Sequence, residues 1–395
     1  MQKQHKNNKI LLVLSTVPFL MVLGNSMLIP EFNTIKNILG INQLQVGLLI
    51  TFFSASAAIT IPFVGYFSDL WGRKNIIVPG ILLYGLGGIL SGTAAALVQN
   101  PYYYILAGRV VQGVGAAGTA PIAMALAGDL FPIEERSESM GAMEAANGLG
   151  KAISPIIGSA TALLVWYAIF FSYALLSIPI ALMIWFWVKE PLEVKSKNSI
   201  NYFQDINLLF IDKGIYLLIN FTGGLMVLLM LFGALSFSSD IIVNNFDLWG
   251  ISRGLILSVP LLSLGVTAYL TGLYLKKKTL FFRHSFLLGF IILSFSMFIF
   301  PLCIESPIIF PVMLGLLGVG SGLVLPATNT MITGASKSSQ RGSVTALYGS
   351  ARFIGIALGP PVFSLLQMGD THMFSLAAGL SLLIGILGFY YLKEK

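Results

Sequence analysis

Charged residues are scarce in this 395-residue chain. Lysine, arginine, aspartate and glutamate together make up 10% of it, whereas a soluble protein has about 25%. Hydrophobic residues make up 56%, and the mean hydropathy is +0.85. An ordinary soluble core cannot bury so much apolar side chain. Runs of about 20 apolar residues instead predict membrane-spanning helices, because a bilayer core is about 30 Å thick and an isolated strand leaves its backbone polar groups unpaired in lipid.

Cysteine and histidine are almost absent as well. Cys303 is the single cysteine and lies in an apolar run, so there is no disulfide, CxxC pair or cysteine metal set. His284 and His372 lie at predicted helix ends, and neither has a ligand-spaced partner. The glycine clusters do not form a phosphate loop with a Walker lysine, and no nucleophile–base constellation is visible. We therefore expect no metal, no cofactor, no ATP-driven step and no enzymatic activity.

Twelve apolar segments follow one another along the chain. The polar stretch at 189–213 separates the sixth from the seventh and predicts a linker between an N-terminal six-helix bundle (1–188) and a C-terminal one (214–395). The fold class predicted is an all-α integral membrane protein with twelve transmembrane helices. The segments, with boundaries good to a few residues, are 10–30, 44–67, 76–97, 102–128, 139–165, 167–188, 214–237, 250–275, 284–303, 308–333, 343–367 and 373–392.

Basic residues are distributed unevenly between the loops. Nearly all lie on the side that carries both termini and the central linker, only Lys36 and Arg253 lie on the other side, and three fall inside predicted helices. Because cytoplasmic loops are enriched in lysine and arginine, both termini and the linker are predicted to be cytoplasmic. The same enrichment accounts for the net charge of +7 without a nucleic-acid partner. The first apolar run is too long for a signal peptide, so we interpret it as the first span.

The two halves of the chain repeat a pattern. RSESMGAMEAANGLGKAISP (136–155) opens the fifth predicted helix, and RGSVTALYGSARFIGIALGP (341–360) opens the eleventh. Each begins with arginine, ends with proline and has a glycine five residues before that proline. Repeated six-helix halves are typical of secondary transporters, whose substrate site lies between the repeats near the bilayer midplane.

The loop between the second and third predicted helices reads GYFSDLWGRK (65–74), or G-x-x-x-D-x-x-G-R-K. Gly72 permits a tight turn, and the acid and bases can pair between helix ends. This pattern resembles the cytoplasmic loop signature of the major facilitator superfamily. The resemblance implies the major facilitator fold, two pseudo-symmetric six-helix bundles, and a conformational latch. An ordinary positively charged loop is the alternative. The latch residues are Gly65, Asp69, Gly72, Arg73 and Lys74.

Two further stretches, LGNSMLIP (23–30) and LAGRVVQGVGAA (106–117), resemble motifs of the twelve-helix drug:proton antiporter branch of that superfamily. In that branch the arginine that matches Arg109 has a role in proton coupling, and Gln112 also matches the motif. An arginine inside a membrane helix is costly and marks a functional site by default. The alternative for Arg109 is a packing role, with hydrogen bonds to backbone carbonyls.

The fifth predicted helix carries GKAISPIIGS (150–159), which resembles the antiporter motif of that branch. The resemblance implies a role in antiport and in sealing against leak. Small residues let helices approach closely, and the proline bends the helix. The motif positions are Gly150, Ser154, Pro155 and Gly158, with Ser154 in place of a glycine.

A lysine inside that motif departs from the usual pattern. Glu144, Asn147 and Lys151 share one helix face, and Arg352 is the repeat counterpart of Asn147. We interpret these residues as a polar stripe in which Glu144 carries the proton, because a carboxyl group binds a proton more readily when buried and less readily beside a cation. A structural link or a snorkelling lysine is the alternative. The predicted substrate cavity is lined by Lys151, Asn147, Arg352 and Gln112.

Two other acids compete with Glu144. Glu31 follows Pro30 at the outer end of the first helix and is a second candidate for proton coupling. Asp129 ends the fourth helix and is expected to be an ion-pair partner on the cytoplasmic side.

The resemblance implies a proton-coupled antiporter that exports small molecules, with drugs or toxic compounds as the first hypothesis. Three interior cations outnumber the interior acid, which favours an anionic metabolite such as a siderophore as the alternative. A lipid flippase and a non-transporting sensor are hypotheses of other classes. The expected partners are a small-molecule substrate, protons and membrane lipids, with the chain as a monomer. The expected location is a cell membrane crossed many times, and short loops favour a bacterial inner membrane.

Overall fold

The computed structural model describes residues 2–131, 133–190, 199–275, 281–335, 341–365 and 370–392, and all regular structure in these ranges is helical. Short 3-10 turns at Ile29–Glu31 and Phe300–Cys303 accompany the α-helices. The α-helices are α1 (Gln2–Ser26), α2 (Phe32–Leu39), α3 (Gln43–Trp71), α4 (Lys74–Leu97), α5 (Tyr102–Ala117), α6 (Ala120–Leu130), α7 (Ile133–Ala162), α8 (Ala168–Trp187), α9 (Ser199–Phe246), α10 (Ile251–Leu275), α11 (Phe282–Ile299), α12 (Ile309–Ala335), α13 (Arg341–Leu365) and α14 (Asp370–Tyr391).

Ten helical segments within the described ranges are long and apolar enough to cross a membrane. The first combines α1 with α2, and the fourth combines α5 with α6. Helices α7 and α13 have the length, but their polar residues, among them Glu144 and Arg352, lower the hydropathy. They are the predicted fifth and eleventh helices, so the twelve-helix prediction is confirmed, and the two exceptions are the helices with the polar pattern.

Contacts divide the chain into two compact units. Unit 1 comprises Met1–Ile41 and Phe52–Ser199, and unit 2 comprises Asn42–Thr51 and Ile200–Lys395. The first turns of α3 therefore belong to unit 2, where Gln43 donates from Nε2 to the carbonyl oxygen of Ser236 at 2.8 Å.

Part of the predicted linker at 189–213 is helical. Residues 199–212 form the first part of α9. The helix is interrupted at Lys213 (φ −128°, ψ 27°), before the seventh span. Residues 191–198 of that linker lie outside the described residues. So do six basic residues that contribute to the predicted orientation, namely Lys276, Lys277, Lys278, Lys337, Lys393 and Lys395.

Each unit is assembled from helices packed through small residues. In unit 1, α1 packs on α7 and α8, and α4 packs on α5 and α8. In unit 2, α10 packs on α12, and α11 packs on α12 and α14. A Cβ added at Gly80 would lie 3.0 Å from the carbonyl oxygen of Gly115, so α4 and α5 meet backbone to backbone. Arg253, which the sequence placed in an outer loop, is instead buried at the start of α10 (2% exposed).

Candidate functional site

Arg109 lies in the middle of α5 and is surrounded by neutral polar groups. Its side chain is 0% exposed. The guanidinium donates to Oε1 of Gln112 at 2.6 Å and to Oδ1 of Asn25 at 2.8 Å. Asn25, at the end of α1, donates in turn from Nδ2 to the hydroxyl of Ser54 on α3 at 2.8 Å. Because a buried charge is very costly unless it is hydrogen-bonded, these amide oxygens help to hold the cation inside unit 1.

Aromatic rings pack around the same arginine. The guanidinium carbon lies 4.4 Å from the ring centroid of Phe53, a cation–π distance. Tyr84 on α4 meets the ring of Phe53 edge-on at 6.3 Å and that of Tyr173 on α8 at 5.7 Å. The hydroxyls of both tyrosines donate to carbonyl oxygens of α1, at 3.2 and 3.3 Å. Five helices of unit 1 are therefore joined around one cation.

Gln112 has an unused hydrogen-bond donor in this network. Its side chain is 0% exposed, and within the described ranges its Nε2 atom has no hydrogen-bond partner. A buried donor without an acceptor costs about 1–3 kcal/mol. Gln112 was expected to line a substrate cavity, but in this structure it belongs to the enclosed network of Arg109.

Arg73 links two acids in the loop between α3 and α4. Its Nη2 lies 3.3 Å from Oδ1 of Asp69, and its Nε donates to Oδ2 of Asp129 at the end of α6. The ion-pair partner predicted for Asp129 is thus confirmed. The side chains of Arg73, Asp69 and Asp129 are 22%, 37% and 47% exposed. Ion pairs this exposed contribute about 0–1 kcal/mol, which is weak enough for the pairs to break and form reversibly.

Glu190, just after α8, caps the start of α4. Its carboxylate accepts hydrogen bonds from the backbone N–H of Arg73 and, at 2.9 Å, from that of Lys74. Lys74 in turn donates from Nζ to the carbonyl oxygen of Trp185 on α8 at 2.6 Å. A carboxylate at a helix N-terminus satisfies free N–H groups and complements the helix dipole. The loop is therefore fastened to the end of α8.

The two glycines of this loop have different surroundings. Gly72 has a φ of +93°, a conformation that favours glycine, so the predicted tight turn is confirmed. A Cβ added at Gly72 would lie 3.0 Å from the carboxylate of Glu190. A Cβ added at Gly65 would meet nothing within 4 Å among the described residues, and nothing in the structure explains a glycine there.

The antiporter-type motif of α7 packs against α1. A Cβ added at Gly150 would lie 2.7 Å from a methyl group of Val22, and one at Gly158 would overlap the carbonyl oxygen of Met27. Pro155 lies inside the helix, and the hydroxyl of Ser154 donates to the carbonyl oxygen of Lys151 at 3.0 Å. The glycines thus set the distance between α7 and α1.

Replacing Gly158 by alanine is expected to destabilise the protein by about 1–3 kcal/mol, because the added Cβ forces α7 away from the backbone of Met27. Thermal unfolding of the purified protein in detergent measures the effect. Gly148→Ala in the same helix is the matched control, since its Cβ would meet nothing within 4 Å among the described residues. Equal melting temperatures for the two variants would contradict the packing role of Gly158.

The polar stripe of α7 is more open than the sequence argument assumed. Lys151 and Asn147 are half-buried, and Glu144 is exposed. Within the described ranges Glu144 forms no ion pair with Lys151. The premise that Glu144 is a buried carboxyl is therefore wrong for this structure, because helical periodicity places residues on one face without saying what packs against that face.

Glu31 is a buried carboxyl group of unit 1. It ends the 3-10 turn before α2 and is 3% exposed. Its Oε2 accepts a hydrogen bond from the hydroxyl of Thr34 at 2.8 Å. Asn33 beside it is 5% exposed, and the turn packs against α7. Glu31 is therefore buried, which is what had been expected of the proton carrier Glu144.

Arg352 lies in unit 2 over an aromatic ring. Its side chain is half-buried, and its guanidinium carbon is 5.8 Å from the ring centroid of Tyr348. The hydroxyl of Tyr348 shares a 2.5 Å hydrogen bond with that of Thr328 on α12. Tyr348 and Arg352 lie one turn apart in α13, on the face that packs against α9 through Gly355.

Comparison with known proteins decides the family. The model of the Major Facilitator Superfamily matches residues 14–360 and 254–395. The chain belongs to the major facilitator superfamily. It is 37% identical to the Bacillibactin exporter of Bacillus subtilis (strain 168) over 98% of this chain and 97% of that protein. It is 26% identical to Multidrug resistance protein 1 of the same organism, over 96% and 95%. A solved D-xylose–proton symporter shares its fold with a TM-score of 0.76, at 14% identity over 98% of this chain and 97% of the symporter.

Membership of the major facilitator superfamily confirms the resemblance read from the loop signature and the two-bundle fold class. The chain is a membrane transporter and not an enzyme. Small molecules are the substrates of such transporters. The predicted roles of the individual site residues remain predictions, although the structure assigns each of them a place.

Sequence reasoning missed several members of these sites. Asn25 stood inside the quoted motif LGNSMLIP but was not singled out, and Ser54 and Tyr348 carried no signal. Glu190 is the first acid after the sixth span, yet its partner Arg73 lies 117 positions earlier. A contact over such a separation depends on how the helices pack, which spacing along the chain does not reveal.

Proposed function

We propose that this transporter is a proton-coupled exporter and that its substrate is a small anionic metabolite of the siderophore type. The observation that carries the proposal is the 37% identity, over nearly the whole of both chains, to a protein named as a bacillibactin exporter. The half-buried cations Lys151 and Arg352 support an anionic substrate. The sequence is compatible with a drug or with a siderophore as the substrate. The similarity to the bacillibactin exporter over nearly the full length of both chains favours the siderophore.

Export of drugs is the second candidate. Multidrug resistance protein 1 is similar to the chain over 96% of its length, although at 26% identity. Lipophilic cations are one class of drug, and the half-buried cations Lys151 and Arg352 disfavour them. The charge of the transported molecule therefore separates the two candidates.

We propose that the substrate enters from the cytoplasm and that an outside proton moves inward in exchange. Movement of one unit charge across the membrane releases about 2.3 kcal/mol per 100 mV, which is enough to drive export uphill. Both termini are then cytoplasmic, and the chain acts as a monomer in a bacterial inner membrane. The pairs of Arg73 with Asp69 and Asp129 form the latch, whose modest strength suits repeated opening.

Glu31 is the proposed proton carrier. A buried carboxylate is costly unless it is hydrogen-bonded, paired or protonated, and Glu31 is buried whereas Glu144 is exposed. Glu31 lies at the end of the first span that is predicted to face outward, where an incoming proton arrives. Arg109, held by Asn25 and Gln112, is proposed to hold together the helices whose arrangement changes when Glu31 gains or loses a proton.

Glu31→Gln is expected to abolish proton release when substrate binds, because glutamine has the shape of the protonated acid and cannot lose a proton. Release is measured by a pH indicator in weakly buffered detergent solution as an anionic siderophore is added to purified protein. Glu144→Gln is the matched control and is expected to release protons like the wild type.

The opposite pattern, with release lost in Glu144→Gln and kept in Glu31→Gln, would assign the proton to Glu144. Release with tetraphenylphosphonium but not with the siderophore would favour the drug exporter. Release with neither compound would contradict antiport and would favour the lipid flippase, which moves a labelled lipid between the leaflets of a vesicle.

A further inference from the structure

The exposed side of α8 carries a continuous apolar stripe. Its members are three or four residues apart, so they share one helix face, and all are exposed: Leu175, Ile178, Leu182 and Phe186. The stripe is about 16 Å long at roughly 1.5 Å per residue, which is about half of a hydrocarbon core about 30 Å thick. This surface therefore matches a lipid acyl chain in one leaflet.

Two tryptophans flank the end of this stripe, and each has a lysine over its ring. Successive helical residues are about 100° apart, so Trp185 and Trp187 lie on either side of Phe186. Nζ of Lys74 is 5.1 Å from the ring centroid of Trp185, and Nζ of Lys9 is 4.1 Å from that of Trp187. The two indole side chains are 51% and 45% exposed, and Phe186 is 70% exposed. A ligand can therefore reach the surface between the two lysines.

The positive charge at this end of α8 is largely unpaired. Lys9 and Lys189 are exposed, and neither forms an ion pair or a hydrogen bond within the described ranges. Lys74 uses one of its three N–H donors on the carbonyl oxygen of Trp185. The adjacent acid is Glu190, whose carboxylate already accepts from two backbone N–H groups at the start of α4. Three lysines thus lie beside one acid that is already engaged.

We propose that the end of α8 binds an anionic phospholipid, with an acyl chain along the stripe and the phosphate group beside Lys9, Lys74 and Lys189. Lysine binds phosphate as a point charge, tryptophan lies at the level of lipid headgroups, and clustered basic residues beside a membrane helix attract anionic lipids. This lipid is a ligand of the outer surface of unit 1 and not the exported substrate. Because Lys74 belongs to the loop between α3 and α4, the bound lipid also helps to hold that loop on α8.

Phosphatidylglycerol with brominated acyl chains is the probe, because its headgroup is anionic and bromine quenches the fluorescence of nearby tryptophans. The full-length protein is reconstituted in phosphatidylcholine vesicles that contain an increasing fraction of the probe. Brominated phosphatidylcholine, which has no net charge, is the reference lipid. We expect phosphatidylglycerol to bind at least about tenfold more tightly than the reference, because each lysine near an anionic headgroup contributes about fivefold.

The double variant Lys9→Gln/Lys189→Gln tests the cations, since neither lysine belongs to the loop signature. Its preference for phosphatidylglycerol is expected to fall to within about threefold. Lys213→Gln is the matched control and is expected to keep the full preference. Lys213 is also exposed and donates to a carbonyl oxygen at a helix end, that of Ala335 at 3.1 Å, but no tryptophan ring lies beneath its ammonium group within the described ranges.

Equal quenching of the wild type by the two brominated lipids, or an unchanged preference in the double variant, would overturn the site. Glycerol phosphate has the charge of the headgroup without acyl chains and is expected not to reduce quenching. If it did reduce quenching, the lysines would bind a soluble phosphate and the assignment to a lipid would be wrong. The melting temperature of the double variant in phosphatidylcholine is expected to equal that of the wild type, because both lysines are exposed.

Discussion

Arg109→Lys is expected to reduce proton-driven transport about 10- to 100-fold while the protein remains folded. Lysine keeps the positive charge but cannot hold the oxygens of Asn25 and Gln112 in a fork, as the guanidinium does at 2.8 and 2.6 Å. Loss of one hydrogen bond to a charged group costs about 1.5–3 kcal/mol. If that bond is required in the rate-limiting rearrangement, the cost corresponds to a rate decrease of about 10- to 100-fold.

The assay is substrate-driven proton flux in liposomes, with the melting temperature measured on the same preparation. Arg109→Leu removes the charge as well and is expected to lower the melting temperature, because it leaves two buried amide oxygens without donors, at about 1–3 kcal/mol each. Arg283→Lys, in the other unit, is the control and is expected to transport normally. A loss of transport in Arg109→Lys that only follows the loss of folded protein would indicate a packing role for Arg109.

Glu190→Ala is expected to slow transport about tenfold, because Glu190 caps a helix at a membrane face. Substrate affinity is expected to stay within about twofold of the wild type. The N–H groups of Arg73 and Lys74 lose their acceptor. Loss of a helix cap costs about 0.5–2 kcal/mol, and a change of 1.4 kcal/mol is tenfold. Glu190→Gln, which keeps one acceptor oxygen, is expected to fall between the wild type and the alanine variant.

Initial transport rates and siderophore affinity are measured separately for these variants. Glu305→Gln is the control, since Glu305 is exposed and has no hydrogen bond or ion pair within the described ranges. A Glu190→Ala protein with wild-type rates would show that the attachment of the loop between α3 and α4 to α8 is not used in the transport cycle.

Hydropathy and local chemistry were sufficient to predict the membrane-spanning helices and the turn in the signature loop at 65–74. The turn at Gly72 follows from a glycine between two helix ends, and its φ of +93° agrees. The ion pair of Asp129 was predictable because this acid lies at the same membrane face as a cluster of basic residues. These features depend on neighbours in sequence or on the membrane plane, both of which the sequence reveals.

Breaks within spans were not foreseen. The predicted segment at 102–128 is divided between α5 and α6, where Thr119 has a ψ of −99°. Gly118 and Pro121 were visible signals for that break, but the uniform hydropathy concealed them. The sequence also did not reveal which face of a helix is covered by neighbouring helices. Glu31 is buried and Glu144 is exposed, because neighbouring helices decide burial, and spacing along one helix does not identify those neighbours.

Exchange of substrate for protons is the central claim, and wild-type protein in liposomes with a trapped pH indicator tests it most directly. No gradient is imposed, and an anionic siderophore is added outside. An antiporter takes the siderophore in and moves protons out, so the internal pH is predicted to rise in proteoliposomes and to stay constant in protein-free liposomes. Siderophore entry without a rise in internal pH would contradict proton-coupled exchange.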